Sequence, residues 1–191
     1  MHRPVEIGTH LDRTSSVTAT SLKRGRSGDL FFVTVRHTYH QGDEVLVVEE
    51  HDLVYRSAVG AVKRLERTPG QCTLPDAPWV RELTTTTPLL FRFSALTANS
   101  HRIHYDEPYT TGVEGFPGLV VHGPLLALYM AELVRCHVPD HTLQHFAFRL
   151  HIPVFVGDAI AVQGTPEGSL ARLSIVSGDG TEHATAQAHL I

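Results

Sequence analysis

The stretch from Gly123 to Val138 constrains the fold of this chain more than any other part of its sequence. Pro124 suits the first turn of a helix, because the backbone N–H groups of that turn have no partners inside the helix. Apolar side chains then cover nearly all sides of the predicted helix: Leu125, Leu126, Leu128, Tyr129, Met130, Leu133 and Val134. Such a helix must be buried around most of its circumference. The rest of the chain therefore has to supply a surface that wraps around it.

The segments on both sides of this helix are typical of β-strands, because they are rich in β-branched and aromatic residues or alternate in polarity. We predict strands at 9–19, 30–39, 44–55 and 82–91 before the helix, and at 144–152, 159–164, 171–177 and 182–190 after it. Short turns between strands indicate antiparallel neighbours. A short helix is predicted at 93–98, and the glycine-containing stretch 99–121 is predicted to be a loop. An antiparallel sheet wrapped around one long apolar helix is the hot-dog fold, of the α+β class.

A weak internal repeat divides the chain. Residues 4–8 (Pro-Val-Glu-Ile-Gly) match residues 153–157 (Pro-Val-Phe-Val-Gly), and three predicted strands follow each copy. Only the second copy is preceded by a strand, a loop and a long helix. We therefore predict a partial N-terminal hot-dog repeat of three strands at 1–57, a linker at 58–80 and a complete hot-dog domain at 81–191. Chance similarity of two short peptides is the alternative.

Composition and charge argue against several classes of function. The net charge is −4 with the 14 histidines neutral, so no broad basic face for nucleic acid is expected. The histidines are scattered without metal-ligand spacing, so no metal site is expected. Cys72 and Cys136 cannot form a disulfide framework. Neither a membrane span nor a signal peptide is recognisable, which predicts a cytoplasmic location and no membrane partner.

The segment 91–126 carries the candidate chemistry. It contains Ala95-Leu96-Thr97-Ala98-Asn99, then His104 five residues after Asn99, and later the pair His122-Gly123 at the start of the predicted helix. This pattern resembles the MaoC-like hydratases and dehydratases. Within that family it is most similar to the branch that contains mesaconyl-CoA hydratase, itaconyl-CoA hydratase and the fungal mitochondrial 3-hydroxyacyl-thioester dehydratase. Residues 25–28, 32–37 and 49–56 resemble the end of the N-terminal repeat of this branch, whose members usually carry that repeat whole.

The resemblance implies hydration or dehydration of a short acyl thioester, of the enoyl-CoA to 3-hydroxyacyl-CoA type, with mesaconyl-CoA and itaconyl-CoA among the candidates. This chemistry needs a base for water, a proton for the α-carbon and a polarised thioester carbonyl. We expect His104 to be the general base and acid, because a neutral imidazole can accept a proton near neutral pH. Asn99 stands where the commoner motif has Asp, and its amide can hold water but cannot accept a proton in this range.

The resemblance also implies binding groups around the reacting atoms. Gly123 and His122 are the expected thioester-binding residues: backbone N–H groups at this start of the helix would bind the thioester carbonyl, aided by the helix dipole. For His122 the alternative is a role in helix capping only. Arg102 and Tyr109 are candidate substrate contacts; the alternatives are a solvated arginine and a tyrosine that only packs. No cofactor is expected, since coenzyme A or acyl carrier protein is part of the substrate.

Two other functions are compatible with the same residues. A hot-dog thioesterase would need a carboxylate near the start of the helix, for which Glu107 and Glu114 are available. A chain that begins partway through a repeat could also be an inactive fragment or one subunit of a heteromeric hydratase. The expected assembly is a homodimer, or a heteromer that supplies the missing half repeat.

Overall fold

The computed structural model describes residues 1–25, 28–56, 65–70 and 72–191. The chain divides into two compact units, Met1–Lys63 and Arg64–Ile191. The linker predicted at 58–80 falls partly outside the described residues, since 58–64 and 71 do not belong to them. Within its described part, Pro69 forms an isolated bridge with Asp158, and a strand begins at Trp79.

The first unit is an antiparallel sheet of three long strands. They are β1 (Asp12–Gly25), β2 (Gly28–Gln41) and β3 (Glu44–Arg56), in the order β1-β2-β3. The three predicted strands are confirmed, although β1 starts three residues later and ends six residues later than predicted. The turn between β2 and β3 contains Gly42 with φ +59°, a conformation that glycine adopts without steric cost.

The second unit contains a five-stranded antiparallel sheet. Its strands are β4 (Trp79–Leu83), β5 (Leu143–Leu150), β6 (Ile160–Glu167), β7 (Leu170–Ser177) and β8 (Glu182–Leu190). The order across the sheet is β4-β6-β7-β8-β5. The four strands predicted after the long helix are therefore confirmed, with differences of at most three residues at their ends.

The helices correct two predictions from the sequence. α1 covers Thr87–Leu96, so the strand predicted at 82–91 is wrong beyond Leu83. Thr86 caps α1 by accepting a hydrogen bond from Leu89 N, and Pro88 lies in its first turn, which are two helix-start signals that outweigh the β-branched threonines around them.

The predicted loop 99–121 is partly helical as well. It contains a 3₁₀ turn at Arg102–His104 and a short helix, α2, at Glu107–Gly112. Asp106 caps α2, because its side chain accepts a hydrogen bond from Tyr109 N. Asp106 therefore has the structural role that its position before Pro108 suggests.

The long apolar helix, α3, covers Gly123–His137 as predicted and packs in the core of the second unit. Its buried residues are Leu125, Leu126, Ala127, Met130, Leu133 and Val134. Three alternate residues of β8 that face this core are small: Ala184, Ala186 and Ala188. Leu128 is 57% exposed, so one side of α3 remains open. No described helix has the length and hydropathy needed to cross a membrane.

Candidate active site

His104 is a buried residue whose ring is held by the backbone of a neighbouring segment. It ends the 3₁₀ turn and is 8% exposed. Its Nδ1 lies 2.7 Å from Val120 O, and Val120 N donates to Ile103 O at 2.9 Å. A carbonyl oxygen can only accept, so the proton of the neutral ring is on Nδ1. Nε2 is therefore the nitrogen with the free lone pair, as a general base requires.

The segment that holds His104 is itself anchored to the chain that leads into β6. Val121 N donates to Val154 O at 2.8 Å, and Val156 N donates to Leu119 O at 2.9 Å. These bonds flank an antiparallel bridge between Val120 and Phe155. The carbonyl that orients His104 thus belongs to a fixed backbone rather than to a free loop.

His122 lies directly against His104. The two rings are stacked, with centroids 3.7 Å apart and planes 16° apart. His122 occupies the N-cap position of α3 but makes no side-chain capping bond, and it is only 1% exposed. Its Nε2 lies 2.9 Å from the hydroxyl of Ser94, and the ring of Phe93 meets it edge-on at 4.8 Å. His122 is therefore the N-cap residue of α3 by position, but its side chain does not cap the helix.

Burial keeps both imidazoles uncharged near neutral pH. It lowers the pKa of His104, an effect that the hydrogen bond to Val120 opposes and the nearby His101 reinforces. Burial, and to a smaller degree the charge of a protonated His104, lowers the pKa of His122 to about 4. Taking an imidazolium out of water is unfavourable unless a counter-charge compensates it. His104 is therefore a neutral ring that can accept a proton.

Asn99 follows α1 and reaches this cluster through two neighbours. Its backbone N donates to Ser94 O at 2.9 Å, and its Oδ1 accepts from His101 N at 3.0 Å. His101 in turn meets the His104 ring edge-on, at 5.7 Å between centroids. Asn99 also borders a mostly apolar cavity of about 270 Å³, which is lined by Phe91, Ser94, Ala95, Ala98, Asn99, Ser100 and Tyr105.

Gly123 begins α3 next to these rings. The N–H groups of Leu125 and Leu126 both donate to His122 O, at 3.0 and 3.2 Å, and no described residue accepts a hydrogen bond from Gly123 N. That N–H is therefore available to an oxyanion at the positive end of the helix. A Cβ at Gly123 would lie 2.2 Å from Leu150 Cδ1, so the packing of Leu150 gives a second reason for glycine here.

Arg102 and Tyr109 are held by other contacts. Arg102 donates from Nε and Nη2 to Asp106 Oδ2 at 3.0 and 2.8 Å, and its guanidinium lies 3.9 Å from the centre of the Tyr109 ring. Tyr109 donates its hydroxyl to Glu114 at 2.7 Å. The Arg102 side chain also holds the pKa of Asp106 below its ordinary value. Among the described residues, neither side chain contacts the ring of His104 or His122.

Ser94 and Phe93 were not identified from the sequence. Both lie in the short helix predicted at 93–98, which is too short to show a buried face, whereas α1 begins at Thr87. Ser94 is 6% exposed on the same side of α1 as the fully buried Leu90, four residues earlier. One signal in the sequence could have identified Ser94: a serine on the buried side of a helix needs a hydrogen-bond partner for its hydroxyl.

A larger, more polar cleft of about 550 Å³ lies over strands β5 to β8. It is lined in part by Arg149, Gln163, Arg172, Thr185 and Gln187. None of the residues predicted to act on substrate borders it. The predicted residues Asn99, His104, His122 and Gly123 lie instead around the stacked pair of imidazoles.

Comparison with known proteins identifies the family. Residues 1–156 match the family described as hydroxyacyl-thioester dehydratase type 2. The chain belongs to this family. It is 38% identical over 189 residues to mesaconyl-C(4)-CoA hydratase of Chloroflexus aurantiacus, a match that covers 99% of this chain and 66% of that protein. It is 32% identical over 139 residues to the mitochondrial hydroxyacyl-thioester dehydratase type 2 of Schizosaccharomyces pombe, covering 71% of this chain and 44% of that protein. The chain thus spans less than two thirds of the length of each relative.

Solved structures with low sequence identity support the fold alone. Peroxisomal multifunctional enzyme type 2 of Drosophila melanogaster matches 98% of this chain and 35% of its own, with a TM-score of 0.72 at 17% identity. A MaoC-like dehydratase of Phytophthora capsici matches 99% of this chain and 68% of its own, with a TM-score of 0.68 at 16% identity. The (R)-hydratase of A. caviae matches 68% of this chain and 98% of its own, with a TM-score of 0.51 at 21% identity. The predicted α+β hot-dog fold and the MaoC-like resemblance are confirmed.

Proposed function

We propose that this chain catalyses the reversible addition of water to the double bond of an enoyl thioester of coenzyme A or acyl carrier protein. One observation carries the proposal: a buried, neutral His104 with its Nδ1–H bound to Val120 O and its Nε2 lone pair free, in a chain of this family. Imidazole in that tautomer is suited to take a proton from water.

The proposed reaction uses His104 twice. In hydration, Nε2 of His104 removes a proton from a water molecule as its oxygen bonds to the β-carbon. The resulting imidazolium then returns the proton to the α-carbon, which collapses the enolate to the 3-hydroxyacyl thioester. Asn99 holds the water through its side-chain amide and takes no proton itself. One group must act in both steps, because the position of the usual second acid is an amide.

The start of α3 is proposed to stabilise the enolate. Charge develops on the thioester oxygen as the β-carbon is attacked, and a preorganised N–H donor stabilises that charge more than it stabilises the ground state. Gly123 N has no acceptor among the described residues, and it lies at the N-terminal end of a helix of 15 residues, where the dipole favours negative charge.

The acyl group is proposed to be short. The support is the 38% identity to a hydratase of mesaconyl-C(4)-CoA, a thioester with a short acyl group. Mesaconyl-CoA and itaconyl-CoA are the candidate substrates with a charged acyl chain. Arg102 would have to leave Asp106 to bind a substrate carboxylate, since two of its nitrogens already donate to that residue.

A panel of enoyl thioesters tests the proposal. The purified chain is mixed with crotonyl-CoA, mesaconyl-CoA or itaconyl-CoA, while enone absorbance and free thiol are followed together. We expect absorbance to fall without thiol release. Thiol release at the same rate as the loss of thioester would overturn the proposal in favour of a thioesterase. No change with any member of the panel, in a folded protein, would favour the inactive-subunit alternative.

The assembly is part of the same proposal. We propose that the working form is a homodimer, since the first unit presents apolar side chains to solvent, among them Val17 at 63%, Val54 at 53% and Tyr55 at 57% exposure. Large exposed apolar surfaces usually mark an interface. Sedimentation velocity on the purified chain should give twice the monomer mass. A monodisperse monomer with full turnover would rule the dimer out.

A further inference from the structure

The imidazole of His122 is buried at the start of α3, although it does not make the capping hydrogen bond that is usual for a polar side chain there. A residue at the N-cap normally accepts hydrogen bonds from the first N–H groups of its helix. His122 makes no such bond, and its Nδ1 is buried with no hydrogen-bond partner among the described residues. Leaving a buried nitrogen unpaired is unfavourable. Some other contact must therefore account for the inward position of this ring.

Three contacts hold the His122 ring: the hydroxyl of Ser94, the edge-on ring of Phe93 and the stacked ring of His104. The Ser94 hydroxyl is 2.9 Å from His122 Nε2, and this is the hydrogen bond that fixes how the ring is turned. The face of the His122 ring then lies flat on the face of His104, 3.7 Å away. Val120 O holds His104 by its edge at Nδ1. The hydrogen bond thus fixes the His104 ring within its plane, and the stacked ring of His122 covers one of its faces.

We infer that Ser94 and His122 are positioning residues, which hold the ring of His104 in one orientation and shield it from water. The inference rests on the proposed function, because it assigns His104 as the base. A ring clamped at its edge and on its face directs Nε2 in one direction, and a small misplacement of a catalytic group can be costly. Ser94 acts through His122, and His122 acts through His104.

The charged and titratable neighbours of the two rings support this role. His101 approaches His104 edge-on at 5.7 Å from the preceding segment, and α1 contributes only Phe93 and Ser94 to His122. The segment before α3 contributes the Val120 carbonyl. Asp106 is paired with Arg102 rather than with either ring. Among the described residues, no carboxylate is in contact with the pair. Burial and the nearby His101 lower the pKa of His104, and only the hydrogen bond to Val120 raises it.

The matched experiment removes one hydroxyl at a time, either from α1 or from the residue that follows its last turn. Ser94→Ala deletes the bond to His122, whereas Thr97→Ala deletes an exposed hydroxyl of the same helical segment that bonds only to Phe93 O. His122→Ala removes the stacked ring. For each variant, the titration of the His104 ring is followed by NMR, and the pH profile of kcat/KM is measured with the best substrate of the panel.

We expect Ser94→Ala and His122→Ala to let water reach His104, so that its pKa rises toward the ordinary value and the acidic limb of kcat/KM moves to higher pH. The loss in kcat should be up to ~10²-fold, the scale of a misplaced catalytic group. Thr97→Ala should match the parent in both measurements. An unchanged His104 titration in Ser94→Ala would overturn the inference. If His122→Ala does not fold, Ser94→Ala still decides it, since the change is a single oxygen atom.

The two readouts separate this inference from the proposed function. The NMR titration needs no substrate, so a shift in Ser94→Ala would support the positioning pair even if no thioester were hydrated. The opposite result is turnover in the parent with an unchanged pKa of His104 in Ser94→Ala. It would support the proposed function and contradict the positioning role.

Discussion

The two units differ in how they form a core, although both are built around a three-stranded meander. In the first unit, β1, β2 and β3 are 14, 14 and 13 residues long, and Leu46 is the single buried apolar residue among those described there. In the second unit, the shorter strands β6, β7 and β8 bury most of one face against α3. Strands alone present an apolar face, and a helix packed on that face turns it into a core.

The two copies of the predicted repeat, at 4–8 and 153–157, allow equivalent positions of the two units to be compared. The pentapeptide at 4–8 ends in Gly8 with φ +91°, and the one at 153–157 ends in Gly157 with φ +79°. Both lead into three antiparallel strands. Only the second copy has a buried carboxylate after its glycine, since Asp158 is 4% exposed and accepts from Thr68 N and Phe155 N. The equivalent Thr9 is exposed. The same local motif is therefore anchored by a buried carboxylate in the second unit, and in the first by exposed hydrogen bonds between Glu6 and Gln41.

Removing a histidine from each unit is the sharpest test of where the chemistry resides. We expect His104→Ala to lower kcat by ~10²–10⁴-fold, the range for general acid–base groups. His37→Ala in the first unit, where the ring bonds only to the hydroxyl of Ser15, should leave kcat unchanged. Steady-state kinetics on both proteins gives the comparison. Equal losses in the two variants, or full activity in His104→Ala, would contradict the assignment.

Acid should destabilise the chain through the buried ring of His122. Its folded pKa of about 4 lies below the ordinary 6.5, so between these values the unfolded chain binds more protons. The contribution of this ring to stability is fully present above pH 6.5 and is lost as pH falls toward 4. At ~1.4 kcal/mol per pKa unit the loss is about 3 kcal/mol.

Urea titrations at several pH values check this sign and size. His122→Phe should remove the contribution, so the free energy of unfolding of the variant should fall less steeply between pH 6.5 and 4 than that of the parent. Parallel curves for the two proteins would show that the pKa of His122 is not depressed in the folded chain.

Substitutions at Asn99 test whether this residue binds the water molecule or transfers a proton. Asn99→Ala should lower kcat by roughly 10²-fold, at the low end of the range for acid–base machinery, because the water loses a hydrogen-bond partner. Asn99→Asp restores an acceptor at the same position and should retain more activity than Asn99→Ala. Kinetics with the same thioester measures both. A fully active Asn99→Ala would remove Asn99 from the mechanism.

Changing one valine to alanine in each sheet should have the smallest effect of these variants, and that effect is on the free energy of unfolding. Val162→Ala removes two methyl groups from a fully buried position of β6, and should lower the free energy of unfolding by roughly 2 kcal/mol. Val54→Ala, at a position of β3 that is 53% exposed, should change it by less than about 0.5 kcal/mol. Chemical denaturation measures both. A comparable loss for Val54→Ala would mean that the first unit has a buried face in solution.

The candidate site was predictable only in part. The spacing of Asn99 and His104 and the His122-Gly123 pair are visible along the chain, because motif residues keep their separation in any fold. The contacts of Arg102 with Asp106 and Tyr109 were not anticipated, although the first is a spacing of four residues. A substrate contact and an intramolecular ion pair have the same appearance in sequence, because both need only an arginine in a loop.

The sequence by itself determined the long apolar helix and the strands that follow it. It also identified His104 and His122 as the two histidines that matter for the chemistry. These features depend on periodicity and on local helix and turn signals, which act over a few residues. The tertiary structure alone decided that Ser94, 28 residues before His122, would hold that ring against His104. Such contacts depend on how α1 and the start of α3 pack together, and no local pattern encodes the distance between two side chains so far apart in the chain.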